Sequence, residues 1–262
     1  MRIGNGLARF VGATIAVGVL AGLVVGASPL LAGARGQPGA TASEQREVIK
    51  LKDARLKFEI NATDGDGGVQ VFIDADSWKT MSILDPGGRR IFSSTTEGRM
   101  AKQGGTELFL ESAEPPFSEL SIEQLLDRFP KGTYGFRGTG LDGQAYVGSA
   151  RLTHNIPDGP ELISPLKRDG RQNPAKTVVR WNAVAPPNGS PIIGYQVLVV
   201  RPDTGLKALP TVVLDVMMPP SARSMAIPPG FLQPNAEYEW EVLAIEKGGN
   251  QTLSSDTFTT SR

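Results

Sequence analysis

Four aspartates lie close together early in the chain, Asp64, Asp66, Asp74 and Asp76, and the first two sit in the run Asp64-Gly65-Asp66-Gly67-Gly68. Calcium takes six to eight oxygen ligands, and an Asp-Gly-Asp-Gly run offers carboxylates and carbonyls to one ion. The EF-hand pattern fails, because no third ligand follows at the required step and no glutamate closes the loop. Asp-Gly pairs are also ordinary turn formers. Calcium is therefore the one cofactor these residues suggest, with a plain turn as the competing reading. A cleft gathering any two or more of these four aspartates and Glu107 would instead suit paired acid–base chemistry.

Other chemistry is thinly represented. The chain has no cysteine and one histidine, so thiolate metal sites, disulfides and a cysteine nucleophile are excluded. His154 lies at a strand end, and no Gly-x-Ser-x-Gly elbow supplies a serine for it to activate. We read it as bonded to the backbone of the linker that follows it. The glycine-rich stretch 132–148 lacks the Gly-x-Gly-x-x-Gly entry to a helix that would bind a nucleotide. Asn61-Ala62-Thr63 and Asn250-Gln251-Thr252 match the glycosylation sequon and otherwise read as turns. Trp78 and Trp240 are candidate aromatic platforms for sugar, although Trp240 alternates with core-type residues.

Length and composition constrain what surrounds these residues. With 27 basic and 27 acidic side chains in 262 residues, net charge is zero and gives no electrostatic footprint for nucleic acid. Glycine (31) and proline (20) together make nearly a fifth of the chain, against about 12% usually, which favours short strands joined by turns. At the amino terminus, Arg2 and Arg9 precede an uncharged stretch from 10 to 34, and Ala32-Gly33-Ala34 offers a small-residue cleavage site before Arg35. This is the pattern of a secretory signal over residues 1–34. If it stays attached, residues 10–27 are apolar enough to anchor the protein in a membrane. Either way the remainder is exported: secreted, periplasmic or displayed at the cell surface. Residues 35–45 read as a flexible spacer.

Residues 46–157 alternate apolar and polar positions in short runs. Leu56, Phe58 and Ile60 mark one strand and Val69, Val71 and Ile73 the next. Asp85-Pro86-Gly87-Gly88 closes a hairpin between strands at 81–84 and 91–92, and another strand covers 106–111. Ile122, Leu125, Leu126 and Phe129 fall at helical spacing after Ser121, and Pro130 ends that single short helix. A second hairpin turns at Leu141-Asp142-Gly143. Asn155-Ile156-Pro157-Asp158-Gly159-Pro160 marks a stiff boundary, across which few contacts are expected.

From 158 to 262 the pattern gives seven short strands, the count of an immunoglobulin-like sandwich. Trp181 lies on the second, and Tyr195 follows Pro191-Ile192-Ile193-Gly194 on the third. Ile227-Pro228-Pro229-Gly230 then leads into Leu232-x-Pro234-x-x-x-Tyr238-x-x-x-Val242-x-Ala244. On these residues the segment 160–261 resembles a fibronectin type III domain, departing from the pattern only in the long proline-rich stretch 209–220. The resemblance implies an immunoglobulin-like sandwich there, and with the β-rich first domain and its one short helix read from alternation the chain is expected to be all-β. It also implies a tyrosine corner at Tyr238, whose hydroxyl bonds back to backbone near 224–232. Such sandwiches present loops and sheet edges to protein or carbohydrate. The expected function is a non-enzymatic binding or spacer module with a protein or polysaccharide partner. The alternative is an accessory module or weak hydrolase using carboxylate or calcium chemistry within 46–157. The first domain is hairpin-rich like uncharacterised exported bacterial domains that precede such sandwiches, a likeness that implies no activity.

Overall fold

The computed structural model describes residues 47–201, 204–209 and 211–262. The signal, the anchor alternative and the spacer lie outside the described residues. Strands dominate, as the alternation and the turn residues require. In chain order they are β1 (Val48–Lys50), β2 (Asp53–Asn61), β3 (Asp66–Leu84), β4 (Arg90–Thr95) and β5 (Gly105–Glu111). Helix α1 (Ile122–Arg128) follows, then β6 (Gly132–Gly140) and β7 (Ala145–Leu152). The second half holds β8 (Leu162–Ser164), β9 (Val178–Trp181), β10 (Ile192–Arg201), β11 (Val212–Met218), β12 (Ser224–Ala226), β13 (Glu237–Glu246) and β14 (Gln251–Thr259).

The first half turns on β3. Read from the sequence as two separate strands, it is one 19-residue strand. Its first part pairs with β2 and β5 and its second with β4 and β6, with register shifts near Trp78 where the strand bends. The charged stretch Asp74–Lys79 hid this continuity, because residues facing water on a half-exposed strand carry no apolar alternation. Only Leu51 and Lys52 separate β1 from β2, and β1 pairs in parallel with β7. The path β1-β7-β6-β3-β2 therefore curls back on itself around Phe58, Ile73, Ile83, Tyr134 and Phe136. Helix α1 closes one end. Ser121 caps it, accepting from the Gln124 N–H while the Gln124 side chain accepts from the Ser121 N–H. Leu125 is its buried residue, with Ile122, Leu126 and Phe129 packed on the same core.

The second half is a β-sandwich of the immunoglobulin-like kind. A three-stranded sheet, β12-β9-β8, faces β14-β13-β10-β11. Between them lie Val179, Trp181, Tyr195, Tyr238, Trp240 and Phe258. The Tyr238 hydroxyl accepts from the Gln233 N–H at 2.8 Å, and its ring stacks on Phe258 with centroids 5.7 Å apart. The tyrosine corner is thus formed, one residue beyond the segment expected to supply its partner.

The boundary is not sparsely bonded. The sequence pattern places the last strand at 255–260, but β14 begins at Gln251, and the added residues pair in parallel with β2: Gln251 with Glu59, Thr252 with Ile60, Leu253 with Asn61. The two halves share one 11-stranded sheet.

Candidate functional site

Chemistry-bearing side chains converge where β2 meets β14. Residues two apart on a strand share a face, so Lys57 and Glu59 point the same way from β2. Cross-strand pairing sets Gln70 of β3 opposite Lys57, and Glu111 of β5 opposite Gln70. Gly68 stands opposite Glu59. The connection after β5 packs down on Gly68: the Ser112 hydroxyl accepts from the Val69 N–H at 3.0 Å, and Phe117 N–H donates to Gly65 O at 2.8 Å. A β-carbon on Gly68 would run into the Ser112 hydroxyl and crowd Glu114 Cγ at 3.1 Å, so glycine is what lets the 112–114 connection pack here. Carboxylate oxygens of Glu59, Glu111 and Glu114 come within 4.8 Å of one another.

The surroundings are polar and mostly buried. Gln70 donates through Nε2 to Glu111 at 3.0 Å, Gln251 donates to Glu59, and Lys57 Nζ donates to Gln251 Oε1 at 2.7 Å. Burial pushes the Glu59 carboxyl upward, partly opposed by the Lys57 charge and by donors from Gln251 and Gln70. Desolvation pulls Lys57 down to about 8, against the pull of Glu59 and Glu111. On the neighbouring strand β13, burial and then the charges of Glu239, Glu59 and Asp64 push Glu241 up to about 8.

Asn250 fastens this region from below. It is 1% exposed. Its Oδ1 accepts from Phe58 N–H at 3.0 Å, while Nδ2 donates to Thr153 O, Thr153 Oγ1 and Asn155 O at 3.1, 2.9 and 3.2 Å. Thr252 Oγ1 donates to Pro157 O at 2.6 Å, and Ala62 N–H to Leu253 O at 2.9 Å. Asn250 is therefore a structural clasp, and its sequon is inaccessible.

The residues singled out by sequence are dispersed. Asp66 pairs with Asn61 at the turn end of the β2–β3 hairpin, whereas Asp74 pairs with Asp53 at the other end. Eight strand residues at about 3.3 Å each put some 26 Å between them, so one calcium ion cannot use all four aspartates. Asp64 accepts from Asn61 Nδ2 in the turn, and Asp76 pairs with Lys52 at 2.6 Å. Asp74 and Glu107 are cross-strand partners, with Glu107 exposed. His154 bonds through Nε2 to Phe129 O at 3.0 Å, at the end of α1 and not in the linker, and packs edge-on to Phe58. Trp78 and Trp240 are 5% and 0% exposed, which removes both as sugar platforms. Trp240 Nε1 donates to Pro165 O at 2.8 Å, and Gly105 lies flat against the Trp78 ring. Sequence reasoning missed Glu59, Gln70, Glu111 and Glu114, because strand pairing and no local spacing unites them.

No protein-family model matches the chain, and no curated protein is similar to it in sequence. Among solved structures, the fibronectin(III)-like modules of Clostridium thermocellum CbhA align over 79% of this chain and 94% of theirs, at 11% identity and a TM-score of 0.33. The FN1–FN3 domains of chicken CNTN1 align over 83% of this chain and 69% of theirs, at 12% identity and a TM-score of 0.32. Similarity at this level adds nothing to the strand order and tyrosine corner, which establish the sandwich by themselves. Among the described residues no helix is long and apolar enough to cross a membrane.

Proposed function

We propose that the protein is an exported, non-enzymatic module that binds a protein or polysaccharide, or holds a partner at a set distance, at the cell surface or in the periplasm. The observation that carries this reading is the shared sheet. A β-rich half and a sandwich joined by strand pairing and by Asn250 hold one relative orientation, as a presenting or spacing element requires. The edge strand β11 supports the same reading: Val213 and Met217 are exposed on it, beside exposed Leu206 and Leu209, and apolar groups on an open edge suit partner contact.

The test is direct binding of the full chain to envelope proteins and polysaccharides, run beside turnover assays on ester, glycoside and peptide substrates. Saturable binding without turnover, weakened by Val213→Lys or Met217→Lys, supports the module. Turnover that Glu111→Gln abolishes overturns it in favour of the hydrolase alternative. Export is tested separately. Mass spectrometry of the exported protein should find its first residue at Arg35, and an intact Met1 start would instead indicate an attached anchor.

A further inference from the structure

We propose that β11 accepts an extended segment of a partner protein as an added strand, and that this segment carries a lysine or arginine between two apolar residues on one face. The assignment rests on the binding-module reading and names the surface and the partner's chemistry. Seven residues of β11, Val212–Met218, pair with β10 in unbroken register, and among the described residues no other strand pairs with it. In an antiparallel pair, alternate residues turn both N–H and C=O away from the neighbouring strand. About three or four residues of β11 therefore offer backbone donors and acceptors along its outer side.

The other outer strands are guarded in ways that discourage strand addition. β1, β8 and β12 have three residues each, and register shifts break the ladders of β4 and β5 on β3. β11 has neither defence, and its sequence Val-Val-Leu-Asp-Val-Met-Met contains no proline, glycine or lysine. Leu214, Val216 and Met218 pack on the sandwich core, which turns Val213, Asp215 and Met217 to the opposite face. Val213 and Met217 are 50% and 61% exposed there. Between them, Asp215 accepts from Gln196 Nε2 at 2.9 and 3.0 Å, one bond to each oxygen, and both oxygens keep a lone pair for a further donor. The same aspartate argues against a second copy as the occupant. Antiparallel self-pairing of the whole strand turns about its central residue, which sets Asp215 directly against Asp215 of the other copy, and like charges directly opposite are destabilising. Sliding by two residues shortens the ladder and sets Asp215 against Val213 or Met217. A basic residue opposite Asp215, with apolar residues two positions to either side, complements all three side chains. That pattern reads the same in both directions, so it suits a parallel or an antiparallel strand.

The test is titration of the full chain with the peptide Thr-Val-Thr-Lys-Thr-Val-Thr, and with its counterpart bearing Glu for Lys, read by hydrogen exchange. The lysine peptide should bind tighter by about twofold to thirtyfold, the range that one attractive against one repulsive cross-strand charge pair gives. It should also slow exchange of β11 amides, which contact through side chains alone would not do. Asp215→Lys should reverse the preference, and Met217→Lys should weaken both peptides. Asp215 is exposed; if Asp215→Lys nevertheless fails to fold by circular dichroism, Asp215→Asn, which should erase the preference, decides instead. Unprotected β11 amides at millimolar peptide overturn the proposal, and so does equal binding of the two peptides by the parent chain. A dimer in sedimentation that Met217→Lys dissolves also overturns it, because the occupant is then a second copy. An envelope protein that binds the parent and Asp215→Lys equally removes β11 as the site and leaves the module reading standing. The module reading itself falls only if nothing from the envelope binds the full chain saturably.

Discussion

Between the sheets of the sandwich, Trp181, Tyr195, Tyr238, Trp240 and Phe258 fill an apolar core drawn entirely from the second half. At the seam, the buried groups are Glu59, Gln70, Asn250, Gln251 and Thr252, and they come from both halves. The first interior gains from removing apolar surface from water, which is large and has no preferred direction. The second gains little net energy per bond, but each donor needs one particular acceptor, and an unmade bond is expensive. Apolar packing therefore makes the sandwich stable, while the polar seam fixes which strand of one half meets which strand of the other.

The largest effects should come from truncating the apolar interior. Tyr238→Ala and Trp240→Ala each open a cavity and should cost about 3–5 kcal/mol in denaturant unfolding. Tyr238→Phe keeps the ring but leaves the Gln233 N–H without its acceptor, and should cost about 1–3 kcal/mol. If Tyr238→Phe shifts stability by only a few tenths of a kcal/mol, the corner contributes nothing to this core.

Asn250→Ala comes next. It strips the Phe58 N–H of its acceptor and the Thr153 and Asn155 carbonyls of their donor, costing about 1–3 kcal/mol. The more informative readout is hydrogen exchange. Amides of β2 and of the first residues of β14 should lose protection while those around Trp181 keep theirs. Equal loss everywhere would mean that the seam and the sandwich core are one cooperative unit. The segment 158–262 expressed alone should still unfold cooperatively around its own aromatic core, at a lower midpoint because the edge of β14 is bare.

The same contrast explains what the sequence makes legible. Leu56, Phe58 and Ile60 on β2 each report their face by apolar alternation, and all three are buried as that alternation indicates. Trp181, Tyr195 and Tyr238 reveal the sandwich because its landmarks are large aromatics at fixed spacing. The seam has no such signal. Gln251 and Thr252 are polar, so they resemble a continuation of the Gly248-Gly249 turn, although with Leu253 they form the strand that joins the halves. Positions 59, 70, 111 and 114 have no sequence periodicity, and only the pairing of β2, β3 and β5, with the connection that follows β5, unites them. The aspartates show the reverse: adjacency in sequence becomes separation in space once the chain is extended. The glycine and proline excess announced turns, but could not say that β3 runs unbroken through Asp74–Lys79.

A smaller effect is expected from pH, acting on the seam alone. Glu241 faces Glu239 on its own strand, Glu59 on β2 and Asp64 in the β2–β3 turn, and in the folded protein it keeps its proton up to about pH 8. Unfolded, it would release that proton near 4.3. Between these values the folded state binds more protons than the unfolded state, so stability falls as pH rises through the window. Thermal midpoints should be lower at pH 8.5 than at pH 5.5, and Glu241→Gln should flatten the slope. A slope unchanged in Glu241→Gln would assign the dependence to another group.

The smallest effect should come from Asp76→Asn, and its smallness is what makes it useful. Asp76 and Lys52 form a 2.6 Å ion pair, but their side chains are 64% and 55% exposed. The contact raises the Lys52 pKa chiefly through its hydrogen bond to Asp76, yet an exposed pair is screened by water and salt and must also order two side chains. Its removal should cost about 0.2–1 kcal/mol, and less at high salt. Asp76 shares with Glu111 a carboxylate on β-structure in the same half of the molecule; what differs is that Glu111 meets a buried amide and two further carboxylates, and Asp76 meets solvent. If Asp76→Asn proved as damaging as Asn250→Ala, burial would not be what separates seam from surface. The contrast between the two would then have to rest on charge alone.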